Sequence, residues 1–183
     1  MPSITVIRHS LAQANEQGVL MGAKLNSPLS EKGIELAKSK GMAFKNEGFA
    51  PDRVYTSQLL RAKQTADTIL DTLGLTPPLV ELADLNERDF GIHDGQPYKS
   101  VLDAFEKYGD NPPTIETVSA FVARVSQAWE QIKNETDGVT LVVTHSNPEM
   151  VLQCLAFYPD RVERFWELGD PAYCEGFIYE FKS

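Results

Sequence analysis

The chain has 183 residues, a formal net charge of −9 and a sequence pI of about 4.8. A molecule this acidic lacks the basic patch of a nucleic-acid binder and is repelled by anionic membranes, so we expect neither as a partner. The apolar fraction of 42% suits one globular domain over residues 1–183. No stretch resembles a signal peptide or a membrane span, and Cys154 and Cys174 lack a C-x-x-C spacing, which together predict a cytoplasmic protein with free thiols.

The first half of the chain alternates β-branched apolar runs with segments of helical periodicity. In chain order we predict a strand at 4–7, a polar loop at about 10–28, a helix at 31–46, a strand at 53–56, a helix at 58–73, a short strand at 79–80 and a polar loop at 84–95. Ser30 is the expected N-cap of the first helix. The predicted apolar face of that helix is Ile34, Ala37, Gly41 and Phe44.

The second half continues the alternation. It predicts helices near 97–107 and 116–135, a strand at 140–143, a helix from Pro148 to about Phe157 and a last strand at 177–181. Asn147 is the expected N-cap of the helix that follows it, because proline suits the first helical position. Strands that alternate with helices predict an α/β fold, a three-layer sandwich with a mostly parallel central sheet and helices on both faces.

Two of the predicted strands are each followed, one residue later, by a histidine. Arg8 and His9 follow the first strand, and His145 follows the strand at 140–143. Chemistry in open α/β sheets lies beyond the carboxyl ends of the strands, where these side chains would meet. Arg61 lies in the first turn of the helix after the second strand, off its apolar face. Each group alone is typical of a structural or surface residue, but their coincidence favours a phosphate site.

Several other kinds of site are excluded by their missing motifs. The chain has no G-x-x-x-x-G-K-[ST], G-x-G-x-x-G, H-E-x-x-H or G-x-S-x-G pattern. Three histidines without a cysteine pair also argue against a structural zinc site.

Five segments, in order, resemble the motifs of the histidine phosphatase superfamily, whose founding members are cofactor-dependent phosphoglycerate mutases. They are Arg8-His9 with Asn15, 28–33 (PLSEKG), 56–66 (TSQLLRAKQTA), 85–95 (LNERDFGIHDG) and 142–145 (VVTH). The resemblance covers most of the chain and implies a phosphoglycerate mutase-like fold. It also implies a small-molecule phosphate ester as substrate, with no metal or other cofactor.

The resemblance assigns roles to the converging residues. His9 would attack the phosphoryl group and form a phosphohistidine, which an imidazole with an ordinary pKa of about 6.5 can do near neutral pH. Arg8, Arg61 and His145 would surround the phosphoryl group, and Asn15 would add a neutral donor. The other nitrogen of the His9 ring needs an acceptor, such as a backbone carbonyl, that fixes the tautomer.

Glu87 would be the general acid in the same scheme. It would protonate the leaving alkoxide and then activate the water that cleaves the phosphohistidine. A carboxyl that is protonated at neutral pH requires burial or nearby anions. Without the flanking pattern, Glu87 would be typical of a solvated loop residue.

The chain departs from the family pattern beside both histidines. Ser10 and Ser146 stand where glycine is usual, and Leu11-Ala12 replaces a Glu-Thr pair. The serines either narrow the pocket, supply hydroxyl donors or have no effect, and we predict Ser146 and the backbone amide of Asn147 as additional phosphate ligands. These departures put substrate recognition in doubt rather than the phosphoryl chemistry.

Between Gly95 and His145 the only arginine is Arg124, whereas mutases carry a longer insertion with paired arginines there. We therefore predict a phosphomonoesterase that hydrolyses a small phosphorylated metabolite. The alternatives are a phosphoglycerate mutase-type transfer, a phosphohistidine-protein phosphatase and a non-catalytic phosphate-binding protein. The physiological substrate and the oligomeric state are left open.

Overall fold

The computed structural model describes residues 1–110 and 112–181, and positions 111, 182 and 183 of the expected 1–183 domain lie outside them. The described strands are β1 (Ser3–Arg8), β2 (Arg53–Thr56), β3 (Leu79–Glu81), β4 (Val139–Thr144) and β5 (Gly176–Glu180). The helices are α1 (Gln13–Glu16), α2 (Glu31–Asn46), α3 (Leu60–Leu73), α4 (Tyr98–Tyr108), α5 (Val118–Glu135) and α6 (Ser146–Phe157). Shorter 3₁₀ segments cover Ala83–Leu85, Gly91–His93 and Pro159–Leu168.

The strands form one sheet in the order β3-β2-β4-β1-β5. The pairs β3-β2, β2-β4 and β4-β1 are parallel, and β5 pairs antiparallel with β1 at the edge. The predicted mostly parallel α/β sheet is therefore confirmed. In the central pair, Arg8 lies opposite Thr144, so β1 and β4 end at the same level. The residues that follow them leave the sheet side by side.

Helices cover both faces of the sheet. Successive side chains of a strand point to opposite faces, and both faces of these strands carry apolar side chains that need to be buried. Ile4, Val6 and Val142 point to the face covered by α5 and α6. Ile7, Leu141 and Val143 point to the opposite face, covered by α2 and α3. These central strand residues are at most 1% exposed, so each face buries a separate apolar core. The predicted three-layer sandwich is confirmed.

The structure corrects three details of the predicted elements. Ile34 is 37% exposed, and Gly33 takes its place on the buried face of α2, because the first turn of the helix packs against the loop after β1. The helix after β4 begins at Ser146 with His145, not Asn147, as its N-cap. Pro148 is tolerated in this first turn since the amide it lacks has no intrahelical acceptor there.

The third correction concerns loops that contain short helical turns. The segment at 10–28 includes α1, and the segment at 84–95 includes two 3₁₀ turns. Within the described residues, no helix is both long enough and apolar enough to cross a bilayer. Cys154 and Cys174 are both free and buried.

Gly33 tests how tightly α2 holds the loop after the first histidine. A Cβ at this position would lie 1.9 Å from the carbonyl oxygen of Leu11. We expect Gly33→Ala to lower the free energy of unfolding by about 1–3 kcal/mol in urea titration, because the steric overlap outweighs the helix preference of alanine. Ser39→Ala, on the exposed face of α2, is the control and stays within about 0.5 kcal/mol. A Gly33→Ala protein as stable as the wild type would contradict this packing.

Candidate active site

His9 lies at the end of β1, where its backbone N–H donates to the carbonyl of Thr144 over 2.7 Å. Its Nδ1 lies 2.6 Å from the carbonyl oxygen of Ser10. A carbonyl oxygen only accepts, so Nδ1 carries the proton and Nε2 keeps its lone pair. Burial, together with the charges of Arg61 and Arg8, holds the pKa of His9 well below its usual range. The ring is therefore a neutral imidazole with Nε2 free of a proton.

His145 stands beside His9, with the two ring centroids 5.0 Å apart. Its Nε2 is 2.7 Å from the hydroxyl of Ser57, whereas its buried Nδ1 has no partner in the structure. Burial and then the charge of Arg61 lower the pKa of His145 well below its usual range. The predicted meeting of the two imidazoles is thus present in the fold.

Arg61 is completely buried and points toward the histidines. Its Nη1 and Nη2 donate to the carbonyls of Leu25 and Gly22 over 3.0 Å each, and its Nε lies 3.3 Å from Nε2 of His9. Burial lowers the pKa of Arg61 to about 10, which still leaves the guanidinium charged at neutral pH. The first turn of α3 therefore brings a positive charge to His9, in the position that the sequence predicts for Arg61.

Arg8 supplies a second guanidinium at the end of β1. Its Nη1 donates to the carbonyl of Pro171 over 2.7 Å, and its Cζ lies 4.4 Å from the centre of the Tyr173 ring. Its Nε is buried without a partner, like Nδ1 of His145. Buried polar nitrogens are normally paired, so these two unpaired nitrogens, near the guanidiniums of Arg8 and Arg61, fit the place of an oxyanion.

Glu87 follows the 3₁₀ turn after β3 and is 5% exposed. Its Oε1 accepts from the Arg88 backbone N–H at 2.8 Å and from Nδ2 of Asn147 at 3.0 Å. Burial raises the pKa of the Glu87 carboxyl, although these hydrogen bonds act in the opposite direction. A fixed carboxyl with a raised pKa is suited to proton donation.

The two residues predicted as additional phosphate ligands, Ser146 and Asn147, hydrogen-bond to carboxylates of the protein in the structure. Ser146 donates its hydroxyl to the Asp170 carboxylate over 2.5 Å. Asn147 directs its side-chain amide to Glu87, and its backbone N–H lies 3.4 Å from Oε2 of the same carboxylate. Their binding to phosphate stays a prediction, and positioning of Glu87 is the role that the geometry of Asn147 supports.

Ser10 is turned away from the site. Its hydroxyl donates to the carbonyl of Gly33 over 2.6 Å, and its backbone N–H donates to Oγ1 of Thr65 over 2.9 Å. The side chain is fully buried, so it fastens α2 to the loop instead of narrowing the pocket. Asn15, in α1, accepts the backbone N–H of Ala12 at 3.1 Å through Oδ1.

A cleft of about 470 Å³ opens above these groups. Its polar end is lined by Arg8, Asn15, Glu87, Ser146 and Asn147. The two imidazoles and Arg61 lie beneath this lining, and only His9 among the three has any exposure, 3%. The described residues contain no group of three or more His, Cys, Asp or Glu side chains arranged to hold a metal ion.

Arg124 is a contributor whose function the sequence did not indicate. It lies in the middle of α5 and donates to the carbonyls of Asp84, Asn86 and Glu87 over 2.8–3.0 Å. It also pairs with the Glu116 carboxylate at 2.7 and 2.9 Å. Arg124 thereby holds the loop that carries Glu87. Since three of its acceptors are backbone carbonyls, no residue type in the sequence signals this contact.

The sequence profile of the histidine phosphatase superfamily (branch 1) matches residues 4–182. The chain belongs to this superfamily, as its motifs indicated.

Its relatives include both phosphatases and mutases. Fructose-2,6-bisphosphatase TIGAR from Xenopus tropicalis is 31% identical over 137 residues, which are 71% of this chain and 49% of that protein. The 2,3-bisphosphoglycerate-dependent phosphoglycerate mutase of Porphyromonas gingivalis is 38% identical over 116 residues, 63% of this chain and 45% of that one. The chain therefore spans about half the length of these two relatives.

Solved structures share the fold. The alpha-ribazole phosphatase from Shigella flexneri aligns with a TM-score of 0.76 and 25% identity, covering 90% of this chain and 84% of its own. Phosphoglycerate mutase from Bacillus anthracis aligns with a TM-score of 0.81 and 22% identity, covering 97% and 88%. The phosphoglycerate mutase-like fold is thus confirmed.

Arg124→Lys tests the attachment of the Glu87 loop to α5. Lysine lacks the planar fork that reaches several acceptors, so we expect the free energy of unfolding in urea to fall by about 1.5–3 kcal/mol. Hydrogen exchange of the backbone amides of 84–88 should accelerate in the same protein. Arg164→Lys, which alters one exposed ion pair with Glu167, is the matched control and should change neither quantity. Equal exchange rates in the two variants would refute the role of Arg124.

Proposed function

We propose that the protein is a phosphomonoesterase that hydrolyses a small phosphorylated metabolite through a phosphohistidine on His9. The observation that carries the proposal is the convergence of two imidazoles and two guanidiniums at the carboxyl ends of β1 and β4. Glu87, a buried carboxyl, lines the cleft above them. The phosphatases among the relatives support the same class of reaction.

Binding would place the phosphoryl group against the guanidiniums of Arg8 and Arg61. Arg8 and Arg61 neutralise its charge, and the unpaired Nε of Arg8 donates to its oxygens. Nδ1 of His145 donates as well when the Ser57 hydroxyl donates to Nε2 and leaves the ring proton on Nδ1. Phosphoryl transfer gains mainly from such positioning and neutralisation. Loss of one such donor typically raises the barrier by about 2.7–4 kcal/mol.

In the first chemical step, Nε2 of His9 attacks phosphorus while its Nδ1–H stays on the carbonyl of Ser10. The hydrogen bond from Nε of Arg61 moves from Nε2 to a phosphoryl oxygen as the new P–N bond forms. The P–O bond to the alcohol breaks, and the leaving oxygen takes the proton of Glu87. Asn147 keeps this carboxyl facing the cleft.

In the second step, water attacks the phosphohistidine. The Glu87 carboxylate takes one proton from the water as the water oxygen bonds to phosphorus. The P–N bond breaks, its electron pair returns to Nε2 of His9, and inorganic phosphate leaves. Glu87 is protonated again, so the site is restored for the next substrate.

The small number of cations in the cleft favours hydrolysis over mutase-type transfer. A mutase must retain a doubly phosphorylated intermediate, which requires basic groups beyond those that hold the reacting phosphate. In the described part of the chain, Arg88 is the one further basic residue that lines the cleft, and it is held by the carbonyls of Glu116 and Asp110. Mutase-type transfer is the second candidate, favoured by the 38% identity with the Porphyromonas gingivalis enzyme.

The nucleophile is tested by His9→Ala with p-nitrophenyl phosphate. We expect phosphate release to fall at least about 10³-fold, as for loss of a covalent nucleophile, and ³²P transferred from a labelled ester to the wild type to be absent from the variant. His93→Ala is the matched control, since His93 hydrogen-bonds to Ser100 and lines a separate pocket. Phosphate binding without label or turnover would instead indicate a non-catalytic binder. Transfer confined to phosphoglycerate isomers would indicate a mutase, and release confined to phosphohistidine proteins a protein phosphatase.

The pH profile of kcat/KM follows from the shifted pKa values. The pKa of His9 is lowered, so the nucleophile stays neutral as the pH falls through the range where an ordinary histidine gains a proton. The pKa of Glu87 is raised, so activity persists to a higher pH than an ordinary carboxylic acid allows and then declines as the proton is lost. Glu87→Gln should lose the alkaline decline and retain a lower activity. Because substrate ionisation is the same for both proteins, an alkaline decline unchanged in the variant would contradict the assignment.

A further inference from the structure

Beyond its polar end, the cleft is walled by large apolar side chains. Leu102 and Phe105 of α4 form part of one wall, and Phe165 and Trp166 of the 3₁₀ segment line the same space. Leu102 is 50% exposed and Trp166 is 37% exposed, although both are apolar. Contiguous exposed apolar groups around a cleft are typical of a site that buries an apolar ligand.

The same region offers little to a second anion. Arg88 donates Nε to the carbonyl of Glu116 at 2.8 Å and Nη2 to the carbonyl of Asp110 at 3.0 Å, and only 3% of the residue is exposed. Within residues 1–110 and 112–181, the remaining charged cleft residues are Arg8, Glu87, Asp110 and Asp170. Arg8 belongs to the phosphoryl end, so a second phosphate or carboxylate would meet the carboxylates of Asp110 and Asp170 and one cation, Arg88, whose Nε and Nη2 already donate to backbone carbonyls.

We infer that the substrate is a monoester whose alcohol has an apolar body and no second anionic group. The inference rests on the proposed phosphatase function and adds the class of leaving group to it. The phosphoryl group would lie over His9, and the alcohol would extend between α4 and the 3₁₀ segment. Each methylene that enters an apolar cleft raises kcat/KM by up to about fourfold, since its removal from water is favourable.

Alkyl phosphates of increasing length provide the test, because their leaving groups differ little in chemistry. We expect kcat/KM for hexyl phosphate to exceed that for methyl phosphate by at least about tenfold. We expect 3-phosphoglycerate and fructose 1,6-bisphosphate to fall below hexyl phosphate by a similar factor. Equal values along the alkyl series, or a preference for either anionic substrate, would overturn the inference.

Leu102→Lys tests the wall directly, and its half-exposed position lets the fold accept the charge. The ratio of kcat/KM for hexyl phosphate over 3-phosphoglycerate should fall at least about tenfold, since a cation replaces apolar surface. Ile178→Lys is the matched control, because Ile178 is 60% exposed on the edge strand β5, outside the cleft lining. An unchanged ratio in Leu102→Lys would count against the proposed wall.

Calorimetry separates failure of the inference from failure of the proposed function. Hexylphosphonate and 3-phosphonopropionate resemble the two kinds of substrate but cannot be hydrolysed at the P–C bond. If no ester is hydrolysed, the phosphatase proposal fails, while tighter binding of hexylphosphonate still supports the apolar site. If esters are hydrolysed but 3-phosphonopropionate binds equally well or better, the phosphatase proposal stands and the apolar site is rejected.

Discussion

The parallel pairing of β1 with β4 is the constraint on which the site depends. Because Arg8 lies opposite Thr144, the histidines that follow the two strands leave the sheet side by side. The centroids of their rings are 5.0 Å apart. A slip of one residue in this register would turn the buried side chains of the strand to the opposite face. The two apolar cores therefore hold the two imidazoles together, although most of their residues lie outside the cleft.

Burial then gives these residues their chemical character. The same loss of water that lowers the pKa of His9 raises the pKa of Glu87, so burial favours the neutral form of both groups. Charged Arg61 is accommodated because the carbonyls of Gly22 and Leu25 hydrogen-bond to it. An otherwise acidic protein thus keeps a local positive site where an anion can be held.

Much of this arrangement was predictable, for identifiable reasons. The β-branched runs before His9 and His145 indicated strands, and parallel strands bring their ends together. Other features depended on tertiary contacts that a periodic pattern does not encode. Ile34 is not on the buried face of α2, because Gly33 packs against Leu11 there. Helix α6 begins at Ser146, before Asn147, its expected N-cap.

Arg61 was expected at the site, but its backbone partners and the role of Arg124 were beyond prediction, since the acceptors are largely backbone carbonyls. Any residue type can supply such an acceptor, so the partner leaves no trace in the sequence. Phosphate binding by Asn147 stays a prediction; its contact with Glu87 was not foreseen and arises because the start of α6 lies beside the carboxylate.

The carbonyl of Ser10 that fixes the His9 tautomer has a consequence for how this protein can diverge. A main-chain oxygen is retained in every side-chain replacement, so substitution of Ser10 leaves the acceptor for Nδ1 of His9 in place. The cleft walls consist of side chains and have no such protection. New specificities are therefore accessible by exchanging wall residues one at a time while the reactive centre is inherited intact.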